Sequence, residues 1–151
     1  MPADFVLDAS VAIRWALHDG SAADRAYADR VLDALVSASA CVPALWHTEL
    51  VHVLRCAEVD GKIGEAAISA FFLQLNQLSI TTDDAAPRAL QNSVAAVSRQ
   101  FNLTGYDAQY LELALRLQVP LATLDKKLRK RAEKAGLAPW PPLARLSARA
   151  T

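Results

Sequence analysis

Four acidic residues sit where a chain can gather negative charge: Asp8, Glu49, Asp107 and Asp125. Asp8 closes the apolar run Phe5-Val6-Leu7, and Asp125 closes Val119-Pro120-Leu121-Ala122-Thr123-Leu124. Glu49 falls in the first turn of the helix expected after Pro43, and Asp107 lies one residue into a helix that follows Gly105-Tyr106. The ends of parallel strands and the starts of the helices that follow them share one edge of a sheet. The spacing therefore predicts that four carboxylates, spread over more than a hundred residues, meet at one pocket. Like charges at short range in low dielectric repel by several kcal/mol, and a cation is what makes such a cluster tolerable. An all-oxygen set, without Cys or paired His at zinc spacing, suits Mg²⁺ or Mn²⁺. Such an ion keeps open positions, which lets it activate a water and hold a phosphate. Each acid also has a plainer reading: Asp125 or Asp8 at a helix cap, Asp107 as a partner of a helix dipole, Glu49 as a surface residue.

Other chemistries find less support. His47 and Glu49 form an H-x-E, but the P-C-x-x-C that accompanies it in zinc deaminases is missing. His47 and His52 are five apart rather than four, so they do not make the H-E-x-x-H zinc face. His52 shares a helix face with Glu49 and reads as a packed or hydrogen-bonded histidine. Asp8-Ala9-Ser10 lacks the second aspartate of haloacid-dehalogenase-like phosphatases, and the five glycines form no phosphate loop. Trp15, Trp46 and Trp140 read as core or interface residues.

The elements that must position the acids are legible in outline. Strands are expected at Phe5–Leu7, Cys41–Val42, Ser79–Thr82 and Val119–Leu124. Helices alternate with them. One, capped by Ser10, runs through Val11–Trp15, and a second starts at Ser21 with Asp24 three residues on. Others run from Trp46 to about Val59, from Gly64 to Leu78, from Pro87 to Phe101, from Tyr106 to Gln118 and from Lys126 to Ala135, the last stopped by Gly136. Strands alternating with helices imply an α/β fold with a parallel sheet covered on both faces.

At 151 residues, with no repeat or linker, the chain reads as a single domain with its core at about 4–140. Its 53% hydrophobic content excludes a disordered chain. No apolar run reaches membrane-spanning length, and the N-terminus lacks the features of a signal peptide. Cys41 and Cys56 form no metal or redox motif and suit a reducing, cytoplasmic setting. Net charge is zero but unevenly spread. From Asp125 onward eight basic and two acidic residues give +6, which leaves −6 on residues 1–124. Lys126, Lys127, Arg129 and Lys130, with Arg131 and Lys134, sit on one helix whose Leu128, Ala132 and Ala135 can pack inward. Beside an acid pocket this basic face could hold phosphates, or it could simply be solvated. Arg14 is a further rim candidate or a surface ion-pair partner.

The ordered motifs resemble those of PIN-domain ribonucleases. Phe5-Val6-Leu7-Asp8-Ala9-Ser10 is similar to the opening strand and Asp-x-Ser/Thr, and Pro43-Ala44-Leu45-Trp46-His47-Thr48-Glu49-Leu50 to the second motif. Tyr106-Asp107-Ala108-Gln109-Tyr110-Leu111-Glu112-Leu113-Ala114 is similar to the third, and Thr123-Leu124-Asp125 with its basic helix to the last. Size and the third motif resemble most the VapC-type toxins of toxin–antitoxin pairs. The resemblance implies a three-layer α/β/α fold around four or five parallel strands and an endoribonuclease using Mg²⁺ or Mn²⁺. It implies that structured RNA, such as transfer or ribosomal RNA, is cut by metal-activated water to leave 5′-phosphate and 3′-hydroxyl ends. Asp8, Glu49, Asp107 and Asp125 would then be the metal-binding catalytic acids, with Ser10 and Thr123 in support. It also implies a homodimer and an antitoxin that lays a segment in an apolar groove and offers an arginine to the acids. The helices through Val53 and Phe71-Phe72 could form that groove or be plain core. Alternatives are a stand-alone PIN nuclease of RNA processing, a non-catalytic RNA- or protein-binding PIN module, and, more distantly, a metal-dependent phosphatase. A fifth edge strand near Ala138-Pro139-Trp140-Pro141-Pro142 is left open.

Overall fold

The computed structural model describes residues 2–142. Met1 and positions 143–151, including Arg145 and Arg149 of the basic C-terminal segment, lie outside the described residues.

Four short strands, β1 (Phe5–Leu7), β2 (Ala40–Val42), β3 (Ile80–Thr82) and β4 (Leu121–Ala122), form one sheet in the order β3-β2-β1-β4. All three pairings are parallel, with Val6 opposite both Cys41 and Leu121. The central strand is the most apolar: Phe5, Val6 and Leu7 are fully buried, which only a strand covered on both faces requires. At about 1.5–3 kcal/mol per buried large side chain, that strand anchors the sheet. The β3 edge is different, for Thr81 and Thr82 are exposed.

Among the described residues, seven helices complete a three-layer α/β/α arrangement. They are α1 (Ala9–Leu17), α2 (Ala22–Ala34), α3 (Leu45–Val59), α4 (Glu65–Leu75), α5 (Pro87–Phe101), α6 (Gly105–Leu117) and α7 (Lys126–Lys134). α1 packs on α2 and α3, and α5 on α6, while α6 also touches β1, β4 and α7. Three helices start on side-chain caps: Ser21 Oγ accepts from Asp24 N at 3.1 Å, Thr104 Oγ1 from Asp107 N at 3.2 Å, and Asp125 Oδ1 from Leu128 N at 3.0 Å. Gly136, at φ +88°, ends α7 in the left-handed region. His18, Asn102 and Gln118 end α1, α5 and α6 in the same region without glycine, which composition does not signal.

Several sequence expectations are corrected. Ser10 does not cap α1. The helix opens at Ala9 with Asp8 at the cap position, so Ser10 already lies within its first turn. Glu49 is not in the first turn of α3 but is its fifth residue, because the helix starts at Leu45. α4 begins at Glu65, with Gly64 extended at its cap, and ends at Leu75 rather than Leu78. β4 shrinks to two residues because Val119 N turns back to Ala114 O and closes α6. Beyond α7 no full fifth strand forms among the described residues: Pro139 makes a single parallel bridge to Leu121. Trp140 stacks on Phe5 with ring centroids 4.6 Å apart, which seals the β4 side of the core.

Candidate active site

Asp8 leaves the end of β1 and is only 6% exposed. Two hydroxyls donate to the same oxygen, Oδ2: Ser10 Oγ at 2.7 Å and Thr123 Oγ1 at 2.6 Å. Both hydroxyls also accept a backbone N–H from the chain leaving β4, Ser10 from Leu124 and Thr123 from Asp125, each at 3.0 Å. This lattice ties the ends of β1 and β4 together and leaves Asp8 Oδ1 without a hydrogen bond among the described residues. Asp125 caps α7 with one oxygen, and its other oxygen has no hydrogen bond among the described residues.

Glu49 and Asp107 approach from helices. Tyr110, buried at 1% exposure, donates to Glu49 Oε1 at 3.0 Å and so joins α6 to α3. Asp107, the third residue of α6, has only its backbone N–H engaged, by Thr104. Burial raises the pKa of Asp8, and the charges of Asp107 and Asp125 raise it further, against the lowering by Thr123 and Ser10. Glu49 is pushed up to about 7, by desolvation first and then by Asp8 and Asp107, although the Tyr110 hydrogen bond opposes this. Asp107 is raised by burial and by Asp125, with Thr104 and then Lys127 pulling the other way. The four acids therefore feel one another electrostatically, and Lys127 reaches the same neighbourhood.

Among the described residues each acid keeps at least one oxygen free of hydrogen bonds, so the donor set is of the hard, anionic kind that fits a divalent cation such as Mg²⁺ or Mn²⁺. Among the described residues, however, no three His, Cys, Asp or Glu side chains are gathered tightly enough to hold an ion as they stand.

The sequence model of the PIN domain matches residues 5–134. The chain belongs to the PIN-domain family. PIN domains are generally metal-dependent nucleases, which places the chain, at a coarse level, among hydrolases. Among solved structures it is similar to PAE2754 from Pyrobaculum aerophilum, at 22% identity over 87% of both chains with a TM-score of 0.65. It is also similar to FitAcB from Neisseria gonorrhoeae, at 14% identity over 85% of this chain and 93% of that one, with a TM-score of 0.57. At these identities the likeness is one of fold. A search of curated proteins finds no significant match.

In this PIN domain the basic residues divide. Lys126, Lys127 and Lys130 are exposed. Arg129 is half-buried, donating to the Thr123 carbonyl at 2.7 Å with its guanidinium 5.2 Å from the centre of the Tyr27 ring. Its charge braces the loop behind Asp125 rather than pointing freely outward. Arg14 pairs with Asp19. His47 Nε2 meets Thr82 Oγ1 at 2.8 Å, and exposed His52 lies 3.9 Å from Cys56 Sγ, away from the acids' hydrogen-bond lattice.

Two features escaped sequence reasoning. One is the Tyr110–Glu49 link, whose only sequence signal is that Tyr110 lies one helical turn after Asp107. The other is a clamp in which Arg116 donates to both oxygens of Asp83, at 3.2 and 2.6 Å, and to the buried Glu112 at 3.0 Å. The clamp fixes α6, and with it Asp107, against the end of β3. The Glu112–Arg116 spacing of four residues was its visible half. The guanidinium holds Asp83 below the usual carboxylate range.

No helix among the described residues is long and apolar enough to cross a membrane. Phe71 belongs to the core, whereas half-buried Phe72 lines a cavity of about 340 Å³ between α3 and α4, together with Trp46, Leu50, Val51 and Leu75.

Proposed function

We propose that this chain is a Mg²⁺- or Mn²⁺-dependent endoribonuclease of the VapC type, the toxin member of a toxin–antitoxin pair acting in the cytoplasm. The observation that carries the reading is the delivery of four carboxylates, from β1, α3, α6 and the start of α7, to one carboxyl edge, three of them with raised pKa values. A protein keeps such strain where a cation relieves it.

Asp8, Glu49, Asp107 and Asp125 would hold the cation, which supplies Lewis acidity for activating water and for the charge that develops on phosphorus. Ser10 and Thr123 fix the rotamer of Asp8 by occupying one of its oxygens, which aims the other outward. Tyr110 does the same for Glu49. Lys126, Lys127 and Lys130 hold phosphates on either side of the cut, as point charges without sequence preference. Arg129 serves that face indirectly, by bracing Thr123. The substrate class is structured RNA, and a second copy of the chain completes a homodimer. The cavity between α3 and α4 is the seat for an apolar antitoxin segment, and an antitoxin arginine facing the acids would silence them by charge-assisted pairing.

The test is induced expression of the chain beside its Asp107→Ala variant, with growth and total RNA followed in both cultures. Growth arrest and discrete RNA fragments are expected only with the unaltered chain. The purified variant should lose about 10³-fold or more in cleavage rate. Intact RNA and equal growth in both cultures, at matched soluble protein, would overturn the toxin reading.

A further inference from the structure

The chain has ten aromatic residues. Nine are buried or half-buried, whereas Tyr106 is 67% exposed. It is the second residue of α6, directly before Asp107, so the one open aromatic side chain among the described residues sits in the helix turn that carries an acid of the cluster. Among the described residues its hydroxyl makes no hydrogen bond and its ring does not pack on the core. An exposed aromatic contributes little to folding, since most of its apolar area stays in water folded and unfolded alike, so its ring remains available to a ligand. Lys127, the second residue of α7, is exposed and its charge acts on Asp107.

We propose that Tyr106 is a stacking platform for an unpaired base of the RNA substrate, next to a phosphate held by Lys127. The inference rests on the nuclease reading above and deepens it by naming how the strand is seated. Unpaired bases are recognised by stacking on aromatic side chains while the phosphates between them meet cations. Tyr106 and Lys127 offer these two contacts, and Asp107 is the acid adjacent to both. Stacking tolerates any base but favours large purines, and it demands a strand that is open at the cut. Preference for loops over duplex RNA would then originate at residue 106. The ring touches substrate without taking part in bond making, so its loss should raise KM more than it lowers kcat.

The test uses the full chain carrying Asp8→Asn, which removes cleavage and leaves α6 intact. Fluorescence anisotropy measures its binding to a labelled short oligoadenylate and to the same strand with one central abasic nucleotide. Adding Tyr106→Ala should weaken binding to the intact strand about tenfold, have little effect on the abasic strand, and be rescued by Tyr106→Phe. Equal weakening on both probes, or no change on either, would overturn the proposal. So would a shift in oligomeric state on sedimentation with Tyr106→Ala, because the ring would then belong to an interface between copies. The parent reading is judged separately, by whether the unaltered chain cuts RNA. A chain that cuts RNA but binds it indifferently to residue 106 refutes only this inference, and one that neither cuts nor binds refutes both.

Discussion

The two halves of the acid cluster are built in opposite ways. The half made by Asp8 and Asp125 belongs to adjacent strand ends, β1 and β4, and is held by a lattice of short hydrogen bonds through Ser10 and Thr123. The half made by Glu49 and Asp107 rides on helices and has one side-chain link, Tyr110 to Glu49. One half is positioned by local polar chemistry and the other by the packing of α6 on its neighbours. Asp8 is nearly sealed from water, and its pKa is raised in spite of two good donors. Glu49, with one donor, rises to about 7. The first half is preorganised. The second is closer to choosing its protonation state.

Breaking the lattice should have the largest effect. Thr123→Val removes a donor from a buried carboxylate and an acceptor from Asp125 N, two bonds together worth about 3 kcal/mol. A fall of that size in the urea unfolding free energy is expected; a change under about 0.5 kcal/mol would show the lattice to be dispensable. The next effect is electrostatic. A carboxyl whose pKa is higher folded than unfolded binds an extra proton in the native state between the two values. Stability is then lost as pH rises from about 4.5 to about 7 through Glu49. Glu49→Gln should flatten that slope and stabilise the metal-free protein by about 1–2 kcal/mol at pH 7.5, after allowance for partial solvent screening. Thermal melts of both proteins across this range check it, and a variant less stable than the parent above pH 7 would contradict the crowding argument. The smallest effect belongs to Tyr110→Phe, about 0.5–1.5 kcal/mol, because Glu49 can recruit water in place of the phenol. Its more telling readout is the carboxyl itself, whose midpoint by NMR should move upward once the lowering bond is gone.

The same contrast explains what could be read from the sequence. Strand ends and helix starts are local features, so the parallel sheet, the order of its elements and the common edge of the four acids followed from apolar runs and caps. Asp24 beside Ser21 and Gly136 after α7 announced helix ends by composition. Ser10 was misread as a cap because Ser is a frequent cap. Its hydroxyl instead serves a strand end more than a hundred residues away, a use that no local pattern encodes. Glu49 lies a turn deeper than expected because α3 opens on Leu45 without a side-chain cap. The Tyr110–Glu49 bond spans 61 residues and the Arg116–Asp83 pair spans 33, so both depend on how helices dock after the sheet has formed. Exposure of Tyr106 was equally hidden, for in the sequence it is one more apolar residue at the head of an apolar helix.

Asp125 serves two masters. One oxygen starts α7 by holding Leu128 N, and the carboxylate's charge acts on Asp8 and Asp107. Asparagine caps a helix about as well as aspartate, so the first duty survives a change that ends the second. A single Asp-to-Asn replacement there leaves the basic helix, the sheet and the exposed lysines in place while withdrawing one charge from the cluster. Along a lineage, such a position opens a route from an enzyme to a silent binder of the same ligand without passing through an unstable ancestor.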